Sequence, residues 1–143
     1  MRIKTKFFGE IEISEQSVYT FKRGIPGFKD LRKFVLIDEE DTPFFYLQSI
    51  ENEYPCFVMM DPFQIISDYD IEISDGTVSE LGIEKPEDVM LYAILTIPED
   101  IRNMTANLQA PIVLNTVTKA GAQEILDNDR YSRRHKLVKE TDV

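Results

Sequence analysis

The chain has 143 residues, of which 43% are hydrophobic and 10% aromatic, and this composition fits one globular domain and excludes a disordered segment. Its net charge is −10, and the acidic excess lies between residues 34 and 118, where 17 acidic side chains stand against two basic ones. Such a surface promotes solubility, repels nucleic-acid phosphate and attracts basic partners, so we expect no direct contact with nucleic acid.

Strand signals dominate the N-terminal third of the chain. Apolar and charged residues alternate over 2–13, which predicts a β-hairpin that turns near Gly9. Val18, Tyr19 and Phe21 indicate another short strand. The same N-terminal residues lack the apolar segment of a secretory signal, and no run approaches the roughly 18 apolar residues of a transmembrane helix, so we expect a cytoplasmic protein without a membrane contact.

A rigid turn is predicted over 23–28, because Gly24 and Gly27 can supply positive φ and Pro26 fixes its own φ. An exposed acidic loop is expected over 38–43. Further strands are predicted at 33–38, 44–51 and 56–61 and, from alternation with acidic residues, at 69–73, followed by a turn at 75–76.

A single short helix is predicted over 77–83, with Thr77 and Glu80 as a capping-box pair and Gly82 as its end. The longest apolar run of the chain follows at 88–98. We expect that run to form a central strand of the sheet.

Residues 107–115 predict a buried strand. Residues 112–114 are β-formers, and Pro111 fits the first residue of a strand or an edge position. Asn107 and Asn115 are typical of turns and of side-chain hydrogen bonds to the backbone. The run is too short to cross a membrane and too apolar for a catalytic loop, so we interpret it as core.

Many short strands with one short helix predict a mainly β fold, a small antiparallel barrel or sandwich. The basic run at 129–140 could be a last strand or a tail. Both interpretations stay open from the sequence.

Metal, cofactor and catalytic motifs are scarce. Cys56 and His135 are the one cysteine and the one histidine, which excludes a zinc site built from several such ligands. We expect Cys56 to be a buried, inert thiol and His135 a solvated residue. The acidic stretch 68–76 lacks the glycine and glutamate that a calcium loop requires, and glycine-rich phosphate-binding motifs are absent. We therefore expect no metal, no cofactor and no catalytic residue.

Two other functions compete with a binding role. Neighbouring carboxylates such as Asp38 with Asp41, or Glu87 with Asp88, could serve a small carboxylate- or metal-dependent hydrolase. The basic residues between 130 and 139 could instead bind RNA.

Three stretches together resemble the FliW family of bacterial flagellar assembly factors: GIPGF (24–28), FFYLQSIE (44–51) followed by DPF (61–63), and NLQAPIVLN (107–115). The similarity covers residues 1–137. It implies one domain folded as a strongly curved antiparallel β-barrel, with 138–143 as a flexible tail. The motif residues that the fold would require are Gly24, Pro26, Gly27, Asn107, Pro111 and Asn115.

The resemblance also implies a function without catalysis. FliW-like proteins bind the filament protein flagellin in the cytoplasm. In exchange they bind the translational regulator CsrA and antagonise it allosterically, which relieves repression of flagellin translation. We expect a monomer when neither partner is bound.

Two sets of residues are candidates for partner binding. Acidic residues in predicted loops are hypothesised to face CsrA, because opposite charge speeds association: Asp38, Glu39, Glu40, Asp41, Glu84, Glu87 and Asp88. Flagellin ends in amphipathic helices, which favour an apolar patch, and its candidates are Phe44, Phe45, Tyr46 and Phe63. The alternative is that these aromatic residues belong to the core.

Overall fold

β-Strands dominate the computed structural model, which describes residues 1–137. The ten strands are β1 (Arg2–Thr5), β2 (Gly9–Glu12), β3 (Val18–Thr20), β4 (Lys33–Asp38), β5 (Phe44–Ser49), β6 (Cys56–Met60), β7 (Val89–Thr96), β8 (Thr105–Asn115), β9 (Ala120–Gln123) and β10 (His135–Lys136). The connections contain helices α1 (Pro62–Ile65) and α2 (Asp75–Leu81) and 3-10 turns at Glu15–Ser17, Pro86–Asp88 and Ile101–Asn103. The predicted tail at 138–143 lies outside the described residues.

Seven strands close into a barrel. They are hydrogen-bonded in the order β8-β7-β6-β5-β4-β3-β9, and β9 pairs again with β8 to complete the ring. Strands that alternate in direction around a ring of seven must leave one parallel pair, and here β3 and β9 run parallel where Thr20 meets Ala120. The predicted mainly β barrel is confirmed, whereas the expectation of antiparallel pairs throughout is wrong at this seam.

The hairpin of β1 and β2 forms a separate two-stranded sheet that packs on the barrel. Phe7 and Phe8 at its turn contact the ring of Tyr46, with centroid distances of 5.6 and 4.9 Å. The Lys6 backbone N–H donates to Oε1 of Gln48 at 3.1 Å. The hairpin predicted over 2–13 is confirmed, and its turn lies over β5.

Two apolar clusters stabilise the domain. The first fills the barrel interior and includes Phe21 and Phe34, which pack edge to face with centroids 5.3 Å apart. The second, the outer cluster, lies on the opposite face of β7 and β8, where Ala93 and Leu108 are covered by α1 and by the C-terminal residues up to 137. Because successive residues of a strand point to opposite faces, β7 supplies side chains to both clusters.

Pro111 lies inside β8, not at the start or edge of a strand as the sequence predicted. The register with β7 jumps from Tyr92 opposite Ile112 to Ile94 opposite Asn107, so Ala93 alone faces four residues of β8. The Pro111 carbonyl faces β9 and accepts from the Glu124 N–H at 2.9 Å. Because the N–H and carbonyl of a strand residue point to the same side, the N–H that proline lacks would also face Glu124. The strand tolerates proline there because the ladder between β8 and β9 ends one residue earlier, at Ile112 with Gln123.

The helices differ from the prediction of one. α1 was not predicted, although Asp61 caps its first turn and Pro62 occupies its first position. The N-cap of α2 is Ser74, three residues before the predicted capping residue Thr77, and Asp75 and Gly76 are helical instead of forming a turn. Gly82 ends α2 in the left-handed conformation, φ +65°, as predicted.

The predicted strand at 69–73 is also wrong, since these residues join no ladder. Tyr69 donates its hydroxyl to the Leu108 carbonyl at 2.7 Å, and the Asp70 N–H donates to the hydroxyl of Tyr131 at 2.9 Å. Tyr69 is buried and Ile71 packs on the outer cluster. The alternation of apolar and acidic residues therefore indicated an extended segment with one buried face. It did not indicate whether that segment pairs with another strand.

Of the basic run at 129–140, the structure describes residues 129–137. His135 and Lys136 form β10 and pair with Ala106 and Thr105 at the start of β8. Within the described residues, no helix is long and apolar enough to span a membrane.

Candidate protein-binding surfaces

An apolar groove of about 720 Å³ opens beside the end of the barrel at which β7 begins. One wall comes from β5, the turn after β6 and α1, and the other from the connection that runs through α2 to residue 86. Its apolar lining includes Phe45, Phe63, Ile71, Ile73, Ile83 and Met90. A concave, mainly apolar surface of this kind fits a protein segment or another apolar ligand.

Local capping explains why α1 presents Phe63 to the groove. The Asp61 carboxylate accepts from the Phe63 N–H at 2.9 Å, and Pro62 starts the helix while it is itself buried. Phe63 is then left 47% exposed, with its ring edge on Tyr69 at a centroid distance of 5.9 Å. A large, exposed aromatic ring held by a short rigid helix is a typical anchor for a partner.

A buried carboxylate holds the other wall. Glu124 accepts hydrogen bonds from the N–H and hydroxyl of Ser74 and from the hydroxyl of Thr77, the last at 2.8 Å. These bonds fix the first turn of α2 against β9, and α2 places Val78 in the groove. The wall is therefore anchored by charge-assisted bonds.

The four predicted aromatic residues do not form one patch. Phe45 and Phe63 line the groove. Phe44 packs on the outer cluster, and Tyr46 is buried beneath the β1–β2 hairpin, where its hydroxyl donates to Oε1 of Glu39 at 3.1 Å. The structure thus brings two of the four together and places the other two elsewhere.

The acidic loop between β4 and β5 lies at the same end of the barrel as the groove. Asp38, Glu40 and Asp41 are exposed, while Glu39 is held by Tyr46 and by the Thr42 hydroxyl at 3.2 Å. Burial raises the pKa of Tyr92, a residue of the groove, to about 12, and Tyr19 and the carboxylates of Asp38 and Asp61 raise it further. Asp38 and Asp61 therefore lie close enough to the Tyr92 hydroxyl to oppose its ionisation.

The second set of predicted acids precedes β7. Glu84 lines the groove, as Asp61 and Glu72 do, and Lys85 is the one basic residue of that lining. Glu87 is exposed, while Asp88 is half-buried and its carbonyl accepts from the Thr116 N–H at 2.9 Å. The two predicted acidic groups thus flank one end of the barrel.

Three of the six motif residues, Gly24, Asn107 and Asn115, have clear local structural roles. Gly24 has φ +67°, and a Cβ there would lie 2.7 Å from the Lys29 Cα, so the turn at 24–29 closes only around glycine. The Asn107 carboxamide oxygen accepts from the N–H groups of Gln109 and Ala110 at the bulge. Asn115 accepts from two N–H groups after β8 and donates to the Leu81 carbonyl at 2.9 Å. Gly27 has φ +90°, and Pro26 is exposed beside it.

Sequence reasoning missed most of the groove. Ile71, Ile73 and Ile83 belong to connections, and Met90 and Leu91 were read only as strand interior. The alternation over 69–73 was the one signal available, since it indicated a segment with one buried face.

Cys56 is 8% exposed, and burial raises the pKa of its thiol to about 11 while nearby Lys6 lowers it. Only the thiolate form of a cysteine reacts with disulfide reagents. At pH 8, a cysteine with a pKa near 11 is about 0.1% thiolate, whereas one with a pKa of 9 is roughly 10% thiolate. We expect an aromatic disulfide reagent at pH 8 to react with the folded protein at least a hundredfold more slowly than with protein in guanidinium chloride. Equal rates would contradict this burial.

Residues 1–137 contain no group of three or more histidine, cysteine or acidic side chains arranged to hold a metal ion.

Comparison with known proteins gives a consistent relationship. The family model described as FliW protein matches residues 2–137. A Geobacillus kaustophilus protein named flagellar assembly factor FliW is 45% identical over 140 residues, which cover 98% of this chain and 97% of the relative. The same name is carried by proteins of Anoxybacillus flavithermus, 43% identical over 99% of this chain and 97% of the relative, and Caldicellulosiruptor bescii, 41% identical over 94% and 89%. A crystal structure of the flagellar assembly factor FliW superposes with a TM-score of 0.93 at 42% identity and covers 99% of each chain.

Proposed function

The chain belongs to the FliW family of flagellar assembly factors, and on that premise we propose that it binds flagellin in the cytoplasm and, in exchange, binds and allosterically antagonises CsrA. Antagonism of CsrA would relieve repression of flagellin translation. The protein then acts by binding alone and not as an enzyme. Neither the described residues nor the comparisons favour the hydrolase alternative.

One observation carries this proposal: the apolar groove and both groups of exposed acidic residues lie at one end of the barrel. An apolar surface fits flagellin, and an acidic surface fits a basic RNA-binding regulator. Because the two surfaces adjoin, one bound partner would obstruct the other or distort its site. This geometry supports mutual exclusion of the two partners without a large conformational change.

Flagellin is assigned to the groove. Phe45 and Phe63 supply aromatic area there, and Phe63 is the more exposed of the two. We expect Phe63→Ser to weaken flagellin binding by about 30-fold, since loss of an aromatic anchor costs at least about 2 kcal/mol. Phe7→Ser is the matched control, because Phe7 is 49% exposed but lies in the β1–β2 hairpin away from the groove.

Size-exclusion chromatography tests the proposal. The purified protein is mixed with flagellin from its own organism, and CsrA is then added at increasing concentration. We expect a flagellin complex that forms with the wild type and the Phe7 variant, fails with the Phe63 variant, and exchanges with CsrA. No complex with either partner at micromolar concentration would refute the proposed function. A complex that forms equally well with the Phe63 variant would move flagellin to another surface.

CsrA is assigned to the acidic end of the barrel. Reversing Asp38 and Glu40 to lysine spares Glu39, which holds Tyr46, and so changes charge without removing that hydrogen bond. We expect the association rate with CsrA at low salt to fall about tenfold and to depend less on ionic strength. Stopped-flow fluorescence measures this. Asp127→Lys with Asp129→Lys changes the net charge equally from another exposed segment, and equal slowing there would mean that only total charge matters.

A further inference from the structure

The groove contains an unpaired strand edge. β6 and β7 pair only at Met59 with Ile94 and at Met60 with Ala93. A continued strand would have brought residue 62 opposite Leu91, but Pro62 lacks an N–H and begins α1, so the chain leaves the ladder after Met60. Residues 89–92 of β7 therefore extend past the end of β6.

The backbone groups that face this free edge follow from the pairing with β8. In an antiparallel pair, every second residue directs its backbone N–H and carbonyl to the same neighbouring strand. The Asp88 carbonyl accepts from the Thr116 N–H, so the backbone groups of Met90 and Tyr92 also face β8. Those of Val89 and Leu91 face the free edge. The Val89 N–H is bonded to the Pro86 carbonyl. Among residues 1–137, the structure gives no hydrogen-bond partner to the Leu91 N–H, the Leu91 carbonyl or the Val89 carbonyl.

The side chains around this edge define what could pair with it. Val89, Met90, Leu91 and Tyr92 all line the groove, so apolar surface lies on both sides of the free backbone groups. Asp61, Glu72 and Glu84 supply three carboxylates against one base, Lys85. An occupant that satisfies the edge must bring backbone donors and acceptors at strand spacing, apolar side chains and positive charge.

We propose that the free edge of β7 binds an extended segment of a partner protein, which adds a short strand beside Val89 to Leu91 and carries alternating apolar and basic residues. The residue of the segment that lies opposite Leu91 exchanges two backbone hydrogen bonds with it. The apolar side chains of the segment enter the groove, and its basic side chains reach the three carboxylates. A helix satisfies its own backbone and would use the apolar lining alone, leaving the Leu91 groups unpaired, so these groups favour an extended segment. The inference rests on the proposed function in one respect, the use of this groove for protein binding.

A synthetic peptide tests the strand directly. The probe is a fluorescein-labelled heptapeptide of alternating valine and lysine, followed by fluorescence polarisation. Two controls carry N-methyl groups, one on the valine amides and one on the lysine amides. Because a strand pairs through the amides of alternate residues, we expect one methylated peptide to bind like the parent and the other at least tenfold more weakly. Glu72→Gln with Glu84→Gln should weaken the parent peptide severalfold.

Amide hydrogen exchange of Leu91 supplies the second measurement. In the free protein we expect this amide to exchange much faster than those of Met90 and Tyr92, and saturation with the probe should slow it at least tenfold. No binding of the probe up to millimolar concentration, or equal binding of both methylated peptides, would overturn the proposal. The proposal would also be overturned if sedimentation showed a dimer without the probe and the Leu91 amide were already protected in it. The occupant of the edge would then be a second copy of the chain.

These outcomes separate the inference from the proposed function. Flagellin that binds a protein unable to bind the probe leaves the proposed function intact and refutes strand addition. A probe that protects Leu91 in a protein that binds neither flagellin nor CsrA supports strand addition and refutes the named partners.

Discussion

Replacing Gly121 with alanine is expected to lower the free energy of unfolding by about 3 kcal/mol, at the upper end of the cost of overpacking a core. A Cβ at Gly121 would lie 2.6 Å from Cζ of Phe21 and 2.8 Å from Cδ2 of Leu114. Phe21 is fully buried and packed on Phe34, so its ring has no free space into which to move. Gly121 lies in β9, and the added methyl group would push that strand away from the barrel that it closes.

Gly76→Ala is the matched control. Gly76 is exposed in α2, and a Cβ there meets no atom within 4 Å. We expect this variant to gain between about 0.5 and 1 kcal/mol, because alanine favours a helix over glycine. Denaturant unfolding of both variants measures the change in the free energy of unfolding, which we expect to have opposite signs in the two. A Gly121 variant within about 0.5 kcal/mol of the wild type would mean that the seam of the barrel is loosely packed.

Alkaline pH is expected to unfold the protein steeply above pH 10. Burial raises the pKa of Tyr46 to about 12, helped by its bond to Glu39, and burial raises the pKa of Tyr92 to about 12. The folded state then holds two protons that the unfolded state releases near pH 10, so stability is full below pH 10 and falls as pH rises toward 12. Each proton contributes about 1.4 kcal/mol per pH unit, which gives a slope near 2.7 kcal/mol per unit. Burial also raises the pKa of Tyr69, which steepens the slope.

Denaturant titrations at fixed pH between 8 and 12 measure this slope. Tyr46→Phe removes one of the protons and should flatten it by about 1.4 kcal/mol per unit, although the variant starts less stable because the bond to Glu39 is lost. A free energy of unfolding that stays constant to pH 12 would show that these hydroxyls ionise as easily in the folded protein as in the unfolded chain.

The strands were predictable where the residues themselves prefer the extended backbone. β4 has the bounds that its β-branched and apolar run indicated, Lys33–Asp38. The start of α2 was not predictable, since Ser74 and Thr77 are both good N-cap residues. Ser74 is selected by the hydrogen bonds that it donates to Glu124, a residue 50 positions away in sequence. Alternation at 69–73 revealed a buried face and could not reveal that no strand lies beside it.

The candidate site was less predictable than the fold. Phe44 and Phe45 are adjacent, so they point to opposite faces of β5 and cannot share a patch. Phe45 and Phe63 line the same groove because the chain leaves β6 and starts α1 at Pro62. The end of β6 at that point is set by its pairing with β7 and not by a local pattern. A free edge is a property of paired strands, and no local pattern reports which pairing is missing.

The parallel seam between β3 and β9 also sets the order in which this protein can fold. Residue 20 must find residue 120, so the contact that closes the barrel spans 100 residues and carries the largest loop-closure entropy of its strand pairings. Without β9, strands β3 to β8 can associate only as an open sheet. Closure is therefore a late step of folding, and a chain that ends before residue 120 leaves exposed the core that β9 covers.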